Sequence, residues 1–538
     1  MTVVAGGAAA VAERPRKAAG GAALVAAGIF LSRIMGLIRS HYFTRYLGTS
    51  DSADAFTAAI RIPNFLQNLF GEGVLSASFI PVYARLLAEG DEAEAGRVAG
   101  AVFSLLAMVA TVLVTIGIFA APYLIDVLTP GFSGDKRELT IKLVQVMFPG
   151  VGLLVLSAWC LGILNSHRRF FLSYVSPVAW NAVMIGTLLM FGGRVLQANL
   201  VLLVAVASVA GAALQLIVQL PVLMKLEKKL RASLAVRSAN VRTVVTNFVP
   251  VFFGRGVVQV SAYVDQWLAS FLIGGAVSVL GYAQTVALLP ISLFGMAIAA
   301  SELPAMSSAI GEGDRVSSEI RQRLDHGLAR IAFYIIPSAA AFVLLGDVIA
   351  GALYQSGQFT REGTVWVWGV LCGSAVGLLA GTMGRLYSSA WYALRDTVTP
   401  LKFAMIRVML TLGLGYIAAL HLPHWLGISP KWGVAGLTAS AGISGWVEFW
   451  LLRRSMNARI GSTGVPLKRI ATLWLAALAA VVPALGVKAV AGIAHPVQLA
   501  VLVLPVFGAA YLLLTSAVAV PEAAELRGRI ARVFQRAG

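Results

Sequence analysis

Charge is scarce in this sequence. Only 12% of its 538 residues are Asp, Glu, Lys or Arg, 58% are hydrophobic, and mean hydropathy is +0.83. A soluble domain carries about 25% charged residues, so the chain lacks the polar surface to cover itself in water. Cysteine is nearly absent. Cys160 and Cys372 lie far apart, each inside an apolar stretch, which excludes a disulfide framework and a CxxC motif and reads as core packing. The six histidines, His41, His167, His326, His421, His424 and His495, fall on loops and helix ends without HExxH or another metal spacing. His421 and His424 stand at i, i+3 but have no nearby carboxylate, so no metal is expected. No Walker motif is present, and Gly71-Glu72-Gly73 and Gly254-Arg255-Gly256 lack the strand–loop–helix setting of a phosphate loop. Neither ATP nor another cofactor is expected. The net charge of +18 could suggest nucleic acid, but the basic residues are spread over short loops, so no nucleic-acid partner is expected.

What the chain does contain is long apolar runs, from Ala18 almost to Val520. They are too long and too continuous for the ~10-residue alternating strands of a membrane barrel. With ~20 residues needed per span, they predict an all-α polytopic membrane protein of about 14 transmembrane helices. These fall near 20–46, 53–87, 98–129, 139–165, 172–193, 197–224, 241–273 and 276–309, then 324–352, 363–392, 397–420, 432–454, 467–490 and 496–519. Pro63, Gly71, Gly73 and Pro81 predict a break or bend in the second. Trp425, Trp432 and Trp446, near segment ends, read as interface anchors or packing residues. Residues 1–17 end on Arg14, Arg16 and Lys17 but lead to no small-residue cleavage site before Arg33, so they read as a cytoplasmic tail before a retained helix.

Loop charges orient the bundle. Arg85/Arg97, Arg168/Arg169, Lys225 to Arg237, Arg315/Arg321/Arg323, Arg395, Arg453/Arg454/Arg459 and Arg527/Arg529/Arg532 share a side with the basic N-terminal tail. The opposite loops hold scattered cations such as Lys136/Arg137, Arg194, Arg361 and Lys431. The positive-inside rule makes the first side, and both termini, cytoplasmic.

The chain also repeats itself. An offset of 223 relates Pro81 to Pro304, Glu89-Gly90-Asp91 to Glu312-Gly313-Asp314, Gly150 to Gly373, Ser166 to Ser389 and Pro177 to Pro400. Six helices per copy, an even number, make the repeats parallel, with a substrate expected between them. The resulting organisation is a tail at 1–17, lobes at 18–230 and 231–460, an appended helix pair at 461–520 and a cytoplasmic tail at 521–538.

Charges inside the spans are the candidates for chemistry. Arg33 and Arg39 lie in the first segment; Asp54, Arg61 and Glu72 lie in the second. An arginine at a helix centre costs on the order of 3 kcal/mol on insertion scales, so these side chains are expected to face an aqueous cavity or a partner. Snorkelling, or an Asp54–Arg61 pair that only holds helices together, is the structural alternative. The repeat offset carries Arg255 to within one residue of Arg33, which suggests a cavity with cations from both halves. Guanidinium groups bind phosphate oxygens bidentately, so pyrophosphate is a natural ligand. Asp265 could neutralise Arg255 or serve as a cation or proton site.

At Ser32-Arg33-Ile34-Met35-Gly36-Leu37-Ile38-Arg39 the chain resembles the MurJ (MviN) lipid II flippases of the MOP exporter superfamily. The likeness continues through Ala53-Asp54-Ala55-Phe56, Arg61-Ile62-Pro63-Asn64, Leu69-Phe70-Gly71-Glu72-Gly73 and Ser78-Phe79-Ile80-Pro81-Val82. It returns at Tyr282-Ala283, Leu303-Pro304 and Arg395-Asp396-Thr397-Val398-Thr399-Pro400. The resemblance implies fourteen helices, two six-helix lobes around a cationic cavity, and a final helix pair that forms a groove for a lipid tail. It implies substrate contact at Arg33, Arg39, Asp54, Arg61, Asn64 and Glu72. The chain departs from the family pattern at Gln67 and at Thr285, where arginines of the portal are expected, and Arg255 is a candidate replacement. Of the family's sodium ligands only Asp265 is matched; Thr411 and Gly415 stand where others would be.

The implied activity is not enzymatic. It is movement of undecaprenyl-pyrophosphate-linked muropeptide (lipid II) between leaflets of the bacterial inner membrane by alternating access. Membrane lipid and proteins of cell-wall synthesis would be further partners. The alternatives are a flippase for another polyprenyl-linked glycan, a drug antiporter, and a membrane glycosyltransferase or ligase using the same carrier.

Overall fold

The computed structural model describes residues 27–28, 30–70, 72–227, 238–307, 314–492 and 495–537. Within these, the side chains of Glu72, Phe170, of residues 250–251, 253–262 (Arg255 among them), 304–305 and 314–316, and of several positions near the C-terminus lie outside the description. Every regular element among the described residues is helical. The first is α1 (30–47), followed by α2 (Asp51–Phe70), α3 (Glu72–Ser78), α4 (Ile80–Ala88) and α5 (Glu92–Leu128). Next come α6 (Gly134–Ser166), α7 (Phe170–Val175), α8 (Pro177–Phe191), α9 (Gln197–Leu226), α10 (Ala239–Ser270), α11 (Ala276–Pro290) and α12 (Ala297–Ser307). The remainder are α13 (Asp314–Leu344), α14 (Gly346–Tyr354), α15 (Arg361–Ala393), α16 (Val398–Tyr416), α17 (Leu422–Trp425), α18 (Gly433–Ile460), α19 (Leu467–Val490), α20 (Pro496–Ala517) and α21 (Pro521–Ala537).

Ten described helical stretches are long and apolar enough to cross a membrane. The other four segments expected to span are helical too, and they carry charge: Arg33 and Arg39 on α1, Asp54 and Arg61 on α2, Arg255 and Asp265 on α10, and Glu448 on α18. On α5, Met108, Val112, Ile116, Phe119 and Tyr123 recur at helical spacing and are all exposed. A stripe of that size facing outward is stable only against lipid.

The expected break in the second segment falls at specific places. Pro63 lies inside an unbroken α2, a turn falls at Phe79 just ahead of Pro81, and Gly71 lies outside the described residues. The segment near 276–309 is distorted as well, by a π-helical turn Ile291–Met296 that follows Pro290. Such turns accommodate the carbonyl that proline leaves without a donor.

Contacts divide the chain into two compact units, Met1–Tyr263 and Val264–Gly538. In the first, α6 packs on α2, α5 and α9, while α8 packs on α9. In the second, α15 packs on α11, α13 and α18, while α16 packs on α18. The same packing thus recurs, element for element. Gly150 and Gly373, which share the repeat offset, both sit at the corresponding crossing. A Cβ on Gly373 would lie 2.3 Å from the Ala435 carbonyl, and one on Gly377 2.3 Å from the Gly442 Cα. Membrane helices gain nothing from excluding water from one another, so small residues that bring backbones together drive such contacts. The appended α19 and α20 pack on α13 and α14, where the Tyr511 hydroxyl donates to the Phe333 carbonyl (2.8 Å).

Candidate substrate site

In the first unit the turns α1–α2, α5–α6 and α8–α9 meet at one end. The Gln197 amide donates to the Tyr46 carbonyl there (3.1 Å), and Lys136, at the start of α6, reaches α2. Its ammonium lies 2.6 Å from Asp54 and 2.9 Å from Asp51, and 4.4 Å from the centre of the Phe132 ring. Asp54 is fully buried. A buried carboxylate loses its hydration and needs an opposite charge beside it, and Lys136 supplies one. Sequence reasoning assigned Lys136 to a loop and did not couple it to Asp54; the signal, a cation 82 positions away, is visible only once α2 and α6 pack.

The opposite end of this unit carries a second polar network. The Tyr83 hydroxyl donates to Glu227 (2.5 Å) and lies 3.1 Å from His167 Nε2, while Arg85 donates to Asn240 (2.9 Å). Ser238 and Asn240 both donate to Glu94.

The two arginines of α1 differ. Arg33 is exposed. Arg39 is half-buried against α8, with its guanidinium carbon 4.8 Å from the centre of the Trp180 ring and Nη1 3.9 Å from the Met184 sulfur. No carboxylate among the described residues reaches it. A cation over an indole face gains about 0.5–2 kcal/mol, less than an ion pair would supply in a desolvated site, so the guanidinium keeps its capacity for an anion. Arg61 is half-buried, and its carbonyl accepts the Tyr263 hydroxyl (2.8 Å), which ties α10 to α2. One turn further, Asn64 is exposed and Gln67 half-buried. Thr285 is exposed on α11 and spends its hydroxyl on the Gly281 carbonyl (2.9 Å). Asp265 is half-buried on α10. The side chains of Glu72 and Arg255 lie outside the described residues.

Sequence reasoning also passed over a charged cluster in the second unit. Arg407 on α16 reaches Glu448 on α18 (3.1 Å), and Arg385 on α15 lies within electrostatic range of both. Glu448 inside the apolar 432–454 run was the available signal. His421, weighed as a ligand, instead stacks on Trp425 (ring centres 5.9 Å apart). Cys160 is buried, Cys372 is half-buried against α13, and the two are not bonded. Trp425 and Trp446 are exposed; the Trp446 indole donates to the Val376 carbonyl.

Long helices with exposed apolar faces, and with arginines and carboxylates held on them, define a multi-pass α-helical membrane protein. Solved structures agree on the fold. A lipid II flippase MurJ in an inward closed conformation covers 92% of this chain and 98% of its own, with a TM-score of 0.75 and 24% identity. An inward-facing multidrug resistance MATE transporter of the MOP superfamily covers 79% and 95%, with a TM-score of 0.65 and 17% identity. The family model for lipid II flippase MurJ matches residues 43–508. A lipid II flippase MurJ of Burkholderia cenocepacia is 30% identical over 436 residues, 80% of this chain and 82% of its own. A probable lipid II flippase MurJ of Vibrio cholerae is 29% identical over 443 residues, 81% and 82%. The chain belongs to the MurJ lipid II flippase family.

Proposed function

We propose that this chain moves lipid II, the undecaprenyl-pyrophosphate-linked muropeptide, from the inner to the outer leaflet of the bacterial cytoplasmic membrane by alternating access. Family membership over most of the chain supports the substrate class. Arg39 carries the reading of the site: it is a half-buried guanidinium on a membrane helix, with no carboxylate among the described residues to neutralise it. A pyrophosphate crossing hydrocarbon must shed its water at a cost of many kcal/mol. Guanidinium groups replace that water with charge-assisted, bidentate hydrogen bonds. Arg33 and Arg61 would share this work with Arg255, and Asn64, Gln67 and Thr285 would supply neutral contacts where cations are absent. Asp54, Glu72 and Asp265 would set the balance of charge, with Asp265 the candidate for ion coupling.

On this reading the lobes are 18–230 and 231–460, and the spans number fourteen. Residues 461–520 form the groove for the lipid tail, and both termini are cytoplasmic. The protein acts as a transporter rather than an enzyme, alongside proteins of cell-wall synthesis.

The test is complementation of a flippase-depleted strain, paired with lipid II translocation in proteoliposomes. The unsubstituted chain is expected to restore growth. Arg39→Ala, and Arg255→Ala as the stand-in for the missing portal arginines, are expected to abolish it at normal membrane abundance. Full growth with Arg39→Ala would remove the site assignment. Failure of the unsubstituted chain to translocate lipid II while it carries another polyprenyl-linked glycan would redirect the substrate.

A further inference from the structure

We propose that the helix pair α19–α20 and the rest of the second unit move as one body, so that a lipid tail seated on the pair is carried with that lobe. The inference rests on the alternating-access reading above and adds to it which lobe takes the tail along. By sequence the pair lies outside the repeat, joined to it by Gly461-Ser462-Thr463-Gly464-Val465-Pro466. A linker with glycine and serine ordinarily leaves the element beyond it free to swing. This one is gripped.

Thr463 is buried, and its hydroxyl meets Tyr387 of α15 (3.0 Å) and Asn457 of α18. Its N–H donates to the Asn457 side-chain oxygen (2.9 Å), and its carbonyl accepts from Arg453 (3.1 Å). The next N–H, from Gly464, donates to Asp325 of α13 (2.7 Å). Gly464 has φ 121°, and a Cβ there would stand 2.9 Å from the Arg453 guanidinium. Glycine at this point serves an unusual backbone and a close approach rather than flexibility.

Two further attachments lie along the pair. Tyr511 of α20 is buried against Phe333 of α13, with ring centres 5.5 Å apart and its hydroxyl on the Phe333 carbonyl. At the end away from the linker, Lys488 of α19 lies 2.6 Å from Asp347 of α14. There too, a Cβ on Gly351 of α14 would lie 3.6 Å from the Pro496 Cβ at the start of α20. A pair held at one end could hinge. A pair held at both ends and between them cannot swing without separating an ion pair or stranding buried hydrogen-bonding groups, which is costly where water does not replace the lost partner.

Gly351 and Pro496 offer a covalent lock. Their Cβ spacing falls within the disulfide range, and a Cβ at 351 meets nothing closer than 3.4 Å. In a Cys372→Ser background, Cys160 being buried, Gly351→Cys with Pro496→Cys is expected to cross-link in the membrane on mild oxidation. In proteoliposomes the oxidised protein should translocate lipid II with no loss of rate against its own reduced form. Loss of transport on oxidation, restored by reductant, overturns the proposal, because the pair would then have to shift on α14. Failure to cross-link overturns it as well, because the contact would not persist in the membrane. A second measurement needs no transport. Spin labels at Val343→Cys on α13 and Leu475→Cys on α19, both exposed positions, should report a single distance, the same with and without lipid II. Two distances, or a shift when lipid II is added, would show the pair moving on the second unit. If the unsubstituted chain fails to carry lipid II, that counts against the substrate reading, and the spin-label distance still decides this one.

Discussion

The two units share a packing scheme and fill it with different chemistry. Asp54 and Lys136 form a buried ion pair between α2 and α6 in the first unit. The repeat offset carries these positions to Val277 and Phe359 in the second, both buried, with Phe359 in an aromatic cluster with Tyr282 and Tyr354. Met184, which lies under Arg39 in the first unit, corresponds to Arg407, which pairs with Glu448 in the second. One backbone arrangement therefore tolerates either a charge pair or an apolar contact at the same place. Replacing a buried ion pair with well-packed apolar residues is often neutral or stabilising. The Asp54–Lys136 pair is thus better explained by what the first unit must do than by what holds it together.

The largest expected effect comes from breaking that pair on one side. Lys136→Ala leaves the buried Asp54 carboxylate without its ammonium and should lower unfolding stability in detergent by about 3 kcal/mol. Importing the second unit's solution, Asp54→Val with Lys136→Phe, should cost less than Lys136→Ala alone, yet fail to support growth of the depleted strain. A double variant less stable than the single one would show that the pair is a net stabiliser. A double variant that sustains growth would detach the pair from transport.

A smaller difference separates the stretches ahead of α8 and α16, which hold the short helix α7 in the first unit and a turn in the second. Asp396 accepts the backbone N–H groups of Val398 and Thr399 (both 3.0 Å) and the Thr399 hydroxyl (2.8 Å), and it lies 3.6 Å from Arg459. Its counterpart at the repeat offset, Ser173, donates to the Arg169 carbonyl instead. Asp396→Ser should retain part of this cap, and Asp396→Ala should lose about 1 kcal/mol of stability. The hydrogen bonds from Thr399, helped by Val398 and Arg459, hold the Asp396 carboxyl below its ordinary range. The folded value is depressed, so the contribution is fully present above the unfolded value of about 3.9. It fades as pH falls through the lower folded value. Thermal melts of the parent and Asp396→Ala should therefore converge only in strong acid; a gap unchanged there would mean the carboxylate's charge is not what caps α16.

The smallest effect tests a feature the units share. α6 and α15 end alike, with Arg168 (φ 59°) and Arg395 (φ 61°) in left-handed conformations. The next residue's N–H, from Arg169 or Asp396, reaches back to the Leu164 or Trp391 carbonyl. Glycine is the usual residue there, and a side chain in that conformation costs roughly 1–2 kcal/mol. Arg168→Gly and Arg395→Gly should each raise stability by about 0.5–1 kcal/mol, less than the strain itself because glycine is freer when unfolded. A loss on either substitution would mean that the arginine side chain makes up its own strain.

Much of the molecule was legible in the sequence. Apolar runs longer than a bilayer is thick announced the helices, and the 223-residue offset announced two units before any packing was known. Gly150 and Gly373 were legible as landmarks of the repeat, but that both sit at helix crossings was not. The arginines of α1 stood out because lipid penalises them heavily. Lys136 did not stand out, because a cation in a loop is ordinary, and neither did Arg385 and Arg407, which read as parts of apolar runs. The C-terminal stretch from Pro521 reads as a tail because it is too polar to span; that its first turn is held by the buried Glu522 and Ala523 is visible only in the structure.

The sequence by itself determined that this is a helical membrane protein, where most of its spans lie and which family it belongs to. Those properties follow from local composition and periodicity, which bilayer thickness and backbone hydrogen bonding turn directly into helices. Only the tertiary structure decided which charges find partners. Asp54 meets Lys136 across 82 positions, Arg407 meets Glu448 across 41, and Arg39 comes to rest on Trp180 with no carboxylate among the described residues. Pairing depends on distances of a few ångströms between helices far apart in the chain. Packing sets those distances, and no local pattern records them.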